Sequence, residues 1–385
     1  MRVTVLGTGM IGSVIVQELA GSDAIDEIVA VDAVAASVER CVSATRSAKV
    51  TGRTAVLDDY DRVAELLRGS DIAVSCLPHA LSLLAIRAAI AAGCHLIDLV
   101  GSKYEEKAEY DAQARAAGVL IVPGAGVAPG IANFLAARGI ELLDEADEAV
   151  MLCGGLPRHP LPPLWYQVVF RLESLLGLCT KPALAVEDGE LVKLPPLTRL
   201  ESLRFPEPVG ECEAVVTDAH STAYTLRSKV KRLYEKTVRY KGHWEKMSVL
   251  AELGFLDEAP IEVDGQLVSP QRVAIPLLER KMKGGSNEDM TVLRVTVTGT
   301  RNGRKMKLEW EMVDAYDKER SITSMAKTTG FPAVQLTQWM AEGKLDKRGV
   351  AAIEDVIIGD VFDPFVAALG KRGIAISFKE EEIEQ

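Results

Sequence analysis

The first dozen residues constrain the chain most. Val3-Thr4-Val5-Leu6 is a short apolar, β-prone run that breaks into Gly7-Thr8-Gly9-Met10-Ile11-Gly12, and a helical pattern follows through Leu19. This is G-x-G-x-x-G set between a strand and a helix, the context in which the motif has physical meaning. Gly7 permits the tight turn, Gly9 lets a pyrophosphate approach the backbone, and Gly12 lets helix and strand pack closely. The helix N-terminus offers N–H groups and the positive end of its dipole to the phosphates. A second apolar run, Glu27 to Val31, ends in Asp32, about twenty residues past the last glycine as the fingerprint requires. A carboxylate there accepts hydrogen bonds from both ribose hydroxyls and repels a 2′-phosphate. Residues 33–39 contain no Arg or Lys to receive that phosphate. The expected cofactor is NAD, with NADP disfavoured, held by Gly7, Thr8, Gly9, Met10, Ile11, Gly12 and Asp32.

Strand and helix patterns then alternate. A helical stretch spans Ala36 to Val42, a strand Thr54 to Leu57, and a helix Asp61 to Leu67. Ile72 to Cys76 is a strand stopped by Leu77-Pro78, and Leu81 to Ala92 a helix capped by Gly93. His95 to Asp98, Tyr110 to Ala117 and Val119 to Val122 read as strand, helix and strand. This spacing predicts an α/β, Rossmann-type, doubly wound parallel sheet. Ligands in such sheets sit beyond the carboxyl ends of the strands. That singles out four loops: Gly7–Gly12, Cys76–His79, Asp98–Lys103 and Pro123–Pro129. Cys76, Leu77 and Pro78 are expected at the nucleotide, Cys76 as a small buried residue and not a nucleophile. Asp98 either faces the nicotinamide or the substrate, or caps a helix or turn. Gly124 and Gly126, in a stiff loop of small residues and prolines, leave room for a flat nicotinamide ring; a plain strand-to-helix turn is the competing reading.

From Glu148 the pattern changes. Glu148 to Cys153 reads as a strand broken by Gly154-Gly155-Leu156-Pro157. Asp188-Gly189 and Asn302-Gly303 are hairpin signals. The second joins Thr291–Thr300 to Lys305–Met312, where Met306, Leu308, Trp310 and Met312 alternate with Lys307, Glu309 and Glu311. This predicts an antiparallel sheet with one buried face. His243 to Leu253 and Gln271 to Lys281 read as amphipathic helices, and Ser321 to Glu342 as a helix with an interior break at Gly330-Phe331-Pro332. The expected organisation is a dinucleotide-binding domain (1–149), a substrate and oligomerisation α+β domain (150–315), and a C-terminal return onto the first domain (316–385). An apolar sheet face needs covering by helices or another subunit, which predicts a homo-oligomer, dimer or tetramer.

Bulk properties exclude other classes. The chain has 385 residues, enough for two domains, and 48% of them are hydrophobic. A net charge of −11 argues against a nucleic-acid partner. No apolar run reaches membrane-spanning length, and the start MRVTVLG enters a strand at once, leaving no room for a signal peptide. Six scattered cysteines without a C-x-x-C pair predict free thiols and a cytoplasmic location. Five histidines show no metal-ligand spacing, so no metal site is expected.

Several stretches are more specific: Cys153-Gly154-Gly155-Leu156-Pro157, Pro163-Leu164-x-Tyr166, Glu235-Lys236-Thr237-Val238-Arg239-Tyr240-x-Gly242-His243, and Ser324-Met325-Ala326-Lys327-Thr328-Thr329-Gly330. Together they resemble the saccharopine dehydrogenase family over essentially the whole chain, and within it most the lysine 6-dehydrogenases. The resemblance implies NAD as cofactor, homo-oligomers, and oxidative deamination of the lysine side chain to 2-aminoadipate 6-semialdehyde. A saccharopine- or carboxynorspermidine-type dehydrogenase of the same family is the nearest alternative, and a non-catalytic NAD-binding sensor or scaffold the alternative of another class. There are departures: Trp165 and Gln167 stand where the family pattern P-L-G-Y-K has glycine and lysine. Lys241 stands where proline is common, and the segment Val168-Val169-Phe170-Arg171-Leu172-Glu173 differs from the Ser-rich version.

Hydride transfer from an amine carbon needs the amine neutral, and an ε-amine has an ordinary pKa of about 10.4. His243, at a helix start, is the leading acid–base residue; a hydrogen-bonded helix-start histidine is the alternative. Arg239 suits an α-carboxylate bidentately, or else makes a structural ion pair. Asp218 matches a T-D-G family motif with Ala219 for glycine and either holds a substrate ammonium or caps a turn; His220 beside it is a further substrate-binding residue. Tyr166 and Trp165 either close the substrate pocket or pack at the domain joint.

Overall fold

The computed structural model of the chain describes residues 1–167 and 172–384. The chain forms two compact units. The first comprises Met1–Glu141, His220–Leu226 and Ala326–Ala375; the second comprises Leu142–Ala219, Arg227–Met325 and Ile376–Gln385. The division therefore falls eight residues earlier than the sequence pattern places it, and the chain passes between units more often than a three-segment layout implies.

The first unit is built on a parallel sheet in the order Gly349–Val350, Leu120–Pro123, His95–Asp98, Ile72–Ser75, Arg2–Leu6, Glu27–Asp32, Val50–Thr54. Its central strands are continuous apolar runs buried on both faces, as in Ile72–Ser75. Chain order reverses between Arg2–Leu6 and Ile72–Ser75, where Leu6 pairs with Ser75. The crevice for a dinucleotide opens beyond such a switch point. The edge strand is Val50–Thr54, four residues ahead of the expected position. Its residues after Val50 are exposed and polar, so backbone pairing with Glu27–Asp32 defines it, while the apolar Ala55 and Leu57 are buried in the loop that follows. The helix expected over Tyr110–Ala117 forms as Asp111–Ala116, and a further short helix, Tyr104–Ala108, precedes it. Residues 220–226 are bonded into this unit: Asn133 Nδ2 donates to Ser221 Oγ at 3.1 Å, and Thr225 Oγ1 to Glu354 Oε1 at 2.7 Å.

The second unit is a mixed sheet. Its main path, among the described residues, runs Glu201–Phe205, Gly210–Thr217, Val230–Tyr240, Glu145–Pro157, Asp289–Arg301, Arg304–Ala315, Ser377–Glu382, with Ala183–Glu187 paired to Val230–Tyr240 and Glu190–Leu194 paired to Ala183–Glu187. Both expected hairpins form. Asp188 and Gly189 have φ of +51° and +77°, and Asn302 and Gly303 of +52° and +77°, the positive pair that a type I′ turn requires. Met306, Leu308, Trp310 and Met312 are buried in strict alternation. The strand expected to break at Gly154 continues to Pro157. A Cβ on Gly154 would lie 2.4 Å from the Val238 carbonyl oxygen, so the glycine permits close strand approach and does not end the strand. Pro332 lies inside a helix running Ser324–Ala341, which from Ala326 on is counted with the first unit. Leu164, Tyr166, Val215, Trp244, Met247 and Met282 join in a cluster that packs the helices His243–Glu252 and Pro270–Met282 on this sheet. No helix among the described residues is long and apolar enough to cross a membrane.

Candidate active site

In the first unit the glycine loop has the shape of a dinucleotide cradle. Gly7 has φ of +94°, and a Cβ there would meet the Cys76 carbonyl oxygen at 3.0 Å. A Cβ on Gly12 would lie 1.9 Å from the Gly7 oxygen, so helix and turn close only over glycine. Gly9 has open space where its Cβ would point, and that is where a pyrophosphate approaches. The helix Met10–Ala20 starts at Met10, with Ile11 and Gly12 in its first turn, so its positive dipole end lies at the loop. Asp32 closes the second strand. Its Oδ2 accepts from Thr8 N at 2.7 Å and Thr8 Oγ1 at 3.3 Å, and its Oδ1 from Val34 N at 2.9 Å. These bonds fix the carboxylate and leave Oδ1 further lone-pair capacity for a ribose hydroxyl. The residues fit a nicotinamide dinucleotide on these grounds.

Other expected contacts divide. Cys76 donates its N–H to Leu6 O at 2.8 Å, and burial raises its thiol pKa, so it is a neutral wall of the turn. Leu77 is buried and Pro78 half-buried. Asp98 is fully buried in an internal network. Ser82 Oγ donates to it at 2.5 Å, Lys107 Nζ at 3.1 Å and Val100 N at 3.2 Å. Lys107 is equally buried, so this ion pair fastens the loop after the strand and occupies the carboxylate. At Gly124 and Gly126 added Cβ atoms would meet Pro129 at 3.2 Å and Thr329 Cγ2 at 3.1 Å, so these glycines permit close packing of the loop. That loop closes on itself through Gly126 N to Pro129 O at 2.9 Å.

In the second unit, one sheet face carries polar side chains. The register pairs Glu213 with Arg239, Val215 with Thr237 and Thr217 with Glu235. Alternation puts Glu235, Thr237 and Arg239 on one side of their strand. Arg239 is buried. Its guanidinium carbon lies 4.5 Å from the Tyr166 ring centre and 5.6 Å from that of Trp244. One nitrogen donates to Val238 O at 2.8 Å, while Nε is buried without a partner. No carboxylate lies within ion-pairing distance of it among the described residues. Glu213, opposite it in register, instead accepts from the Trp244 backbone N–H.

His243 is fully buried. Its ring stands 5.3 Å from that of Tyr166, and its Nδ1 lies 2.8 Å from Leu164 O. The carbonyl requires Nδ1–H, which leaves Nε2 as an acceptor, buried and without a partner. Burial, and then the Arg239 charge, bring its pKa down to about 3. His243 is therefore a neutral imidazole that orients Tyr166 and the helix start, and a weak proton acceptor. The structure thus brings together Tyr166, Arg239 and His243. Asp218 follows the Gly210–Thr217 strand in this unit, whereas His220 opens the segment counted with the first unit. Trp165 is half-buried with φ of +54°, the left-handed region where glycine is unstrained, at the position that is glycine in the family pattern. Gln167 donates to the Gly284 carbonyl, an internal tie in place of a lysine charge. Residues 168–171 of the divergent segment lie outside the described residues.

Glu235 has no role in the sequence reading, yet it is buried, and burial and the neighbouring Asp218 charge raise its carboxyl well above the ordinary range. The available signal was its period-two phase with Arg239. No group of three or more potential metal ligands occurs among the described residues.

Comparison with known proteins agrees with this architecture. Residues 3–122 match the saccharopine dehydrogenase NADP binding domain and residues 126–374 the saccharopine dehydrogenase C-terminal domain. Saccharopine dehydrogenase [NADP(+), L-glutamate-forming] of Schizosaccharomyces pombe is 24% identical over 85% of this chain and 87% of its own. Carboxyaminopropylagmatine dehydrogenase of Synechocystis sp. is 22% identical over 97% and 96%. Among solved structures, apo saccharopine dehydrogenase (L-Glu forming) from Saccharomyces cerevisiae superposes with a TM-score of 0.80 at 19% identity, covering all of both chains. With the two family domains accounting for nearly all of its length, the chain belongs to the saccharopine dehydrogenase family.

Proposed function

We propose that this protein is an NAD-dependent oxidoreductase that deaminates the side chain of L-lysine, or of a close basic amino acid, to 2-aminoadipate 6-semialdehyde and ammonia. The observation that carries the reading is Arg239, a buried guanidinium stacked between two aromatic rings and lacking a carboxylate partner. A buried cation without a counter-ion is costly, and its planar fork matches a substrate carboxylate. Among the described residues it is the single buried cation of the Val230–Tyr240 strand on this sheet face. Lys236 points to the other face and pairs with Glu201 at 3.0 Å. One cation suits one α-carboxylate. Nicotinamide dinucleotide, when bound at the glycine loop, accepts the hydride. Arg239 holds the carboxylate, Tyr166 and Trp244 keep its guanidinium in place, and the surrounding apolar cluster excludes water.

The choice of NAD over NADP rests on Asp32, fixed by Thr8 and Val34, with no Arg or Lys in residues 33–39. Asp32→Ala is expected to weaken NAD binding by roughly 10- to 100-fold, for loss of hydrogen bonds to a charged group, and NADP binding much less. Equal losses would remove the assignment. The six free cysteines support a reducing, cytoplasmic setting. The exposed Leu253, Phe255 and Leu267 support a homo-oligomer, which light scattering tests. The function itself is tested by NADH formation with NAD and L-lysine, L-ornithine, saccharopine or a carboxylated polyamine, with ammonia assayed alongside. Turnover of lysine with ammonia release supports the reading. Turnover of a secondary amine alone replaces it with a saccharopine- or carboxyaminopropylagmatine-type activity. NAD binding without any turnover replaces it with the non-catalytic alternative.

A further inference from the structure

We propose that Glu235 is the carboxylate that receives the substrate's side-chain ammonium and takes its proton. This rests on the reading of Arg239 given above. Glu235 and Arg239 lie on the same face of the Val230–Tyr240 strand, two alternate positions apart, which separates their Cα atoms by roughly 13 Å at about 3.3 Å per residue. Both are buried, and each has a side-chain atom shut off from solvent without a hydrogen-bond partner: Oε2 of Glu235 and Nε of Arg239. An unpaired buried carboxyl group and an unpaired buried cation on one strand face complement a zwitterion with an ammonium at one end and a carboxylate at the other. The substrate would lie along the strand, its carboxylate at Arg239 and its amine at Glu235.

The groups around Glu235 suit a proton acceptor. Thr217 is its cross-strand neighbour, and Thr237 Oγ1 donates to Thr217 Oγ1 at 3.1 Å. Asp218 is the charged group acting on it, and burial with that charge gives its carboxyl a raised proton affinity. Cys153, on the adjacent strand, is a neutral thiol whose pKa burial brings to about 12. An acceptor of raised pKa is better matched to an amine than His243, whose pKa lies at about 3. In the step, an N–H bond of the ammonium breaks and an O–H bond forms on Glu235. The freed lone pair forms the C=N bond as the C–H hydride leaves with its electron pair to the NAD of the proposed function. The substrate loses two electrons and the nicotinamide gains them. Water then adds to the iminium carbon, its two protons pass to the nitrogen as the C–N bond breaks, and ammonium departs, leaving the aldehyde.

The test uses the full chain saturated with NADH, which cannot accept a hydride, with L-lysine and L-norleucine, which has the carboxylate but no side-chain amine, titrated calorimetrically into wild type, E235Q and E235D. Wild type should bind lysine more tightly than norleucine. E235Q should lose that preference by about 10-fold or more while keeping its affinity for norleucine and NAD. In turnover of lysine, kcat of E235Q should fall by roughly 10²- to 10⁴-fold and lose its acidic limb in the pH profile, and E235D should recover part of it. Unchanged lysine preference and kcat in E235Q would overturn the assignment to Glu235. Wild-type binding of norleucine but not lysine would overturn it too, while leaving Arg239 as the carboxylate site. Binding of neither would overturn the Arg239 reading and this inference together.

Discussion

Replacing Arg239 by Met should move stability and substrate affinity in opposite directions. The guanidinium is buried, stacked on Tyr166 and Trp244, and unpaired. Exchanging buried ionic groups for apolar ones of similar volume is often stabilising by about 1–4 kcal/mol. The two ring contacts forfeit about 0.5–1 kcal/mol each. The net change for the ligand-free protein then spans about −1 to +3 kcal/mol and centres on a gain of about 1 kcal/mol, a rise in Tm of roughly 2–4 °C for a unit of this size. The carboxylate end of the substrate loses a bidentate, charge-assisted pair worth about 3–5 kcal/mol when one partner is removed, so affinity for L-norleucine should fall by roughly 10²- to 10⁴-fold. Thermal denaturation without ligand and calorimetric titration with NAD present read the two effects separately. A lower Tm together with unchanged norleucine affinity would refute the reasoning, because Arg239 would then be a structural cation.

Other expectations follow the same geometry. Gly9→Ala should leave the Tm unchanged, since its Cβ meets nothing within 4 Å, yet abolish NAD binding; Gly12→Ala, whose Cβ would lie 1.9 Å from a backbone oxygen, should lower the Tm as well. Lys107→Met should cost about 3–5 kcal/mol in a urea titration, because it strands the buried Asp98 carboxylate. His243 should make the protein less stable toward acid. Its folded pKa of about 3 lies below the ordinary 6.5, so its contribution is fully present above pH 6.5 and is lost as pH falls from there toward 3. His243→Gln should show a shallower fall in urea midpoint over that window.

The nucleotide-binding half was legible because its signals are local. Gly7, Gly9, Gly12 and Asp32 lie within one strand–helix–strand unit, and the central strands are unbroken apolar runs. The hairpins at Asp188-Gly189 and Asn302-Gly303 were legible for the same reason, since two adjacent residues dictate the turn. Pairings across long stretches of chain were not. Val230–Tyr240 lies parallel to Glu145–Pro157, and nothing in either run specifies the other. Ser377–Glu382 reads as a charged tail because it buries neither face. It is held by backbone pairing, by ion pairs such as Lys307–Glu381 at 3.2 Å, and by Phe378 stacked on Trp310 at 4.6 Å. At the candidate site, residue type located Arg239 and His243 but not their state. Only burial distinguishes a titrating histidine from a neutral one, and only the sheet register puts Glu235 on the face of Arg239.

The most direct measurement is transfer of deuterium from L-lysine labelled at the side-chain carbon that bears the amine. With NAD, the protein should yield deuterated NADH and one equivalent of ammonia, and lysine labelled only at the α-carbon should yield unlabelled NADH. Deuterium arriving from the α-carbon, or label transfer from saccharopine but never from lysine, would contradict the assignment of the side-chain amine as the group oxidised.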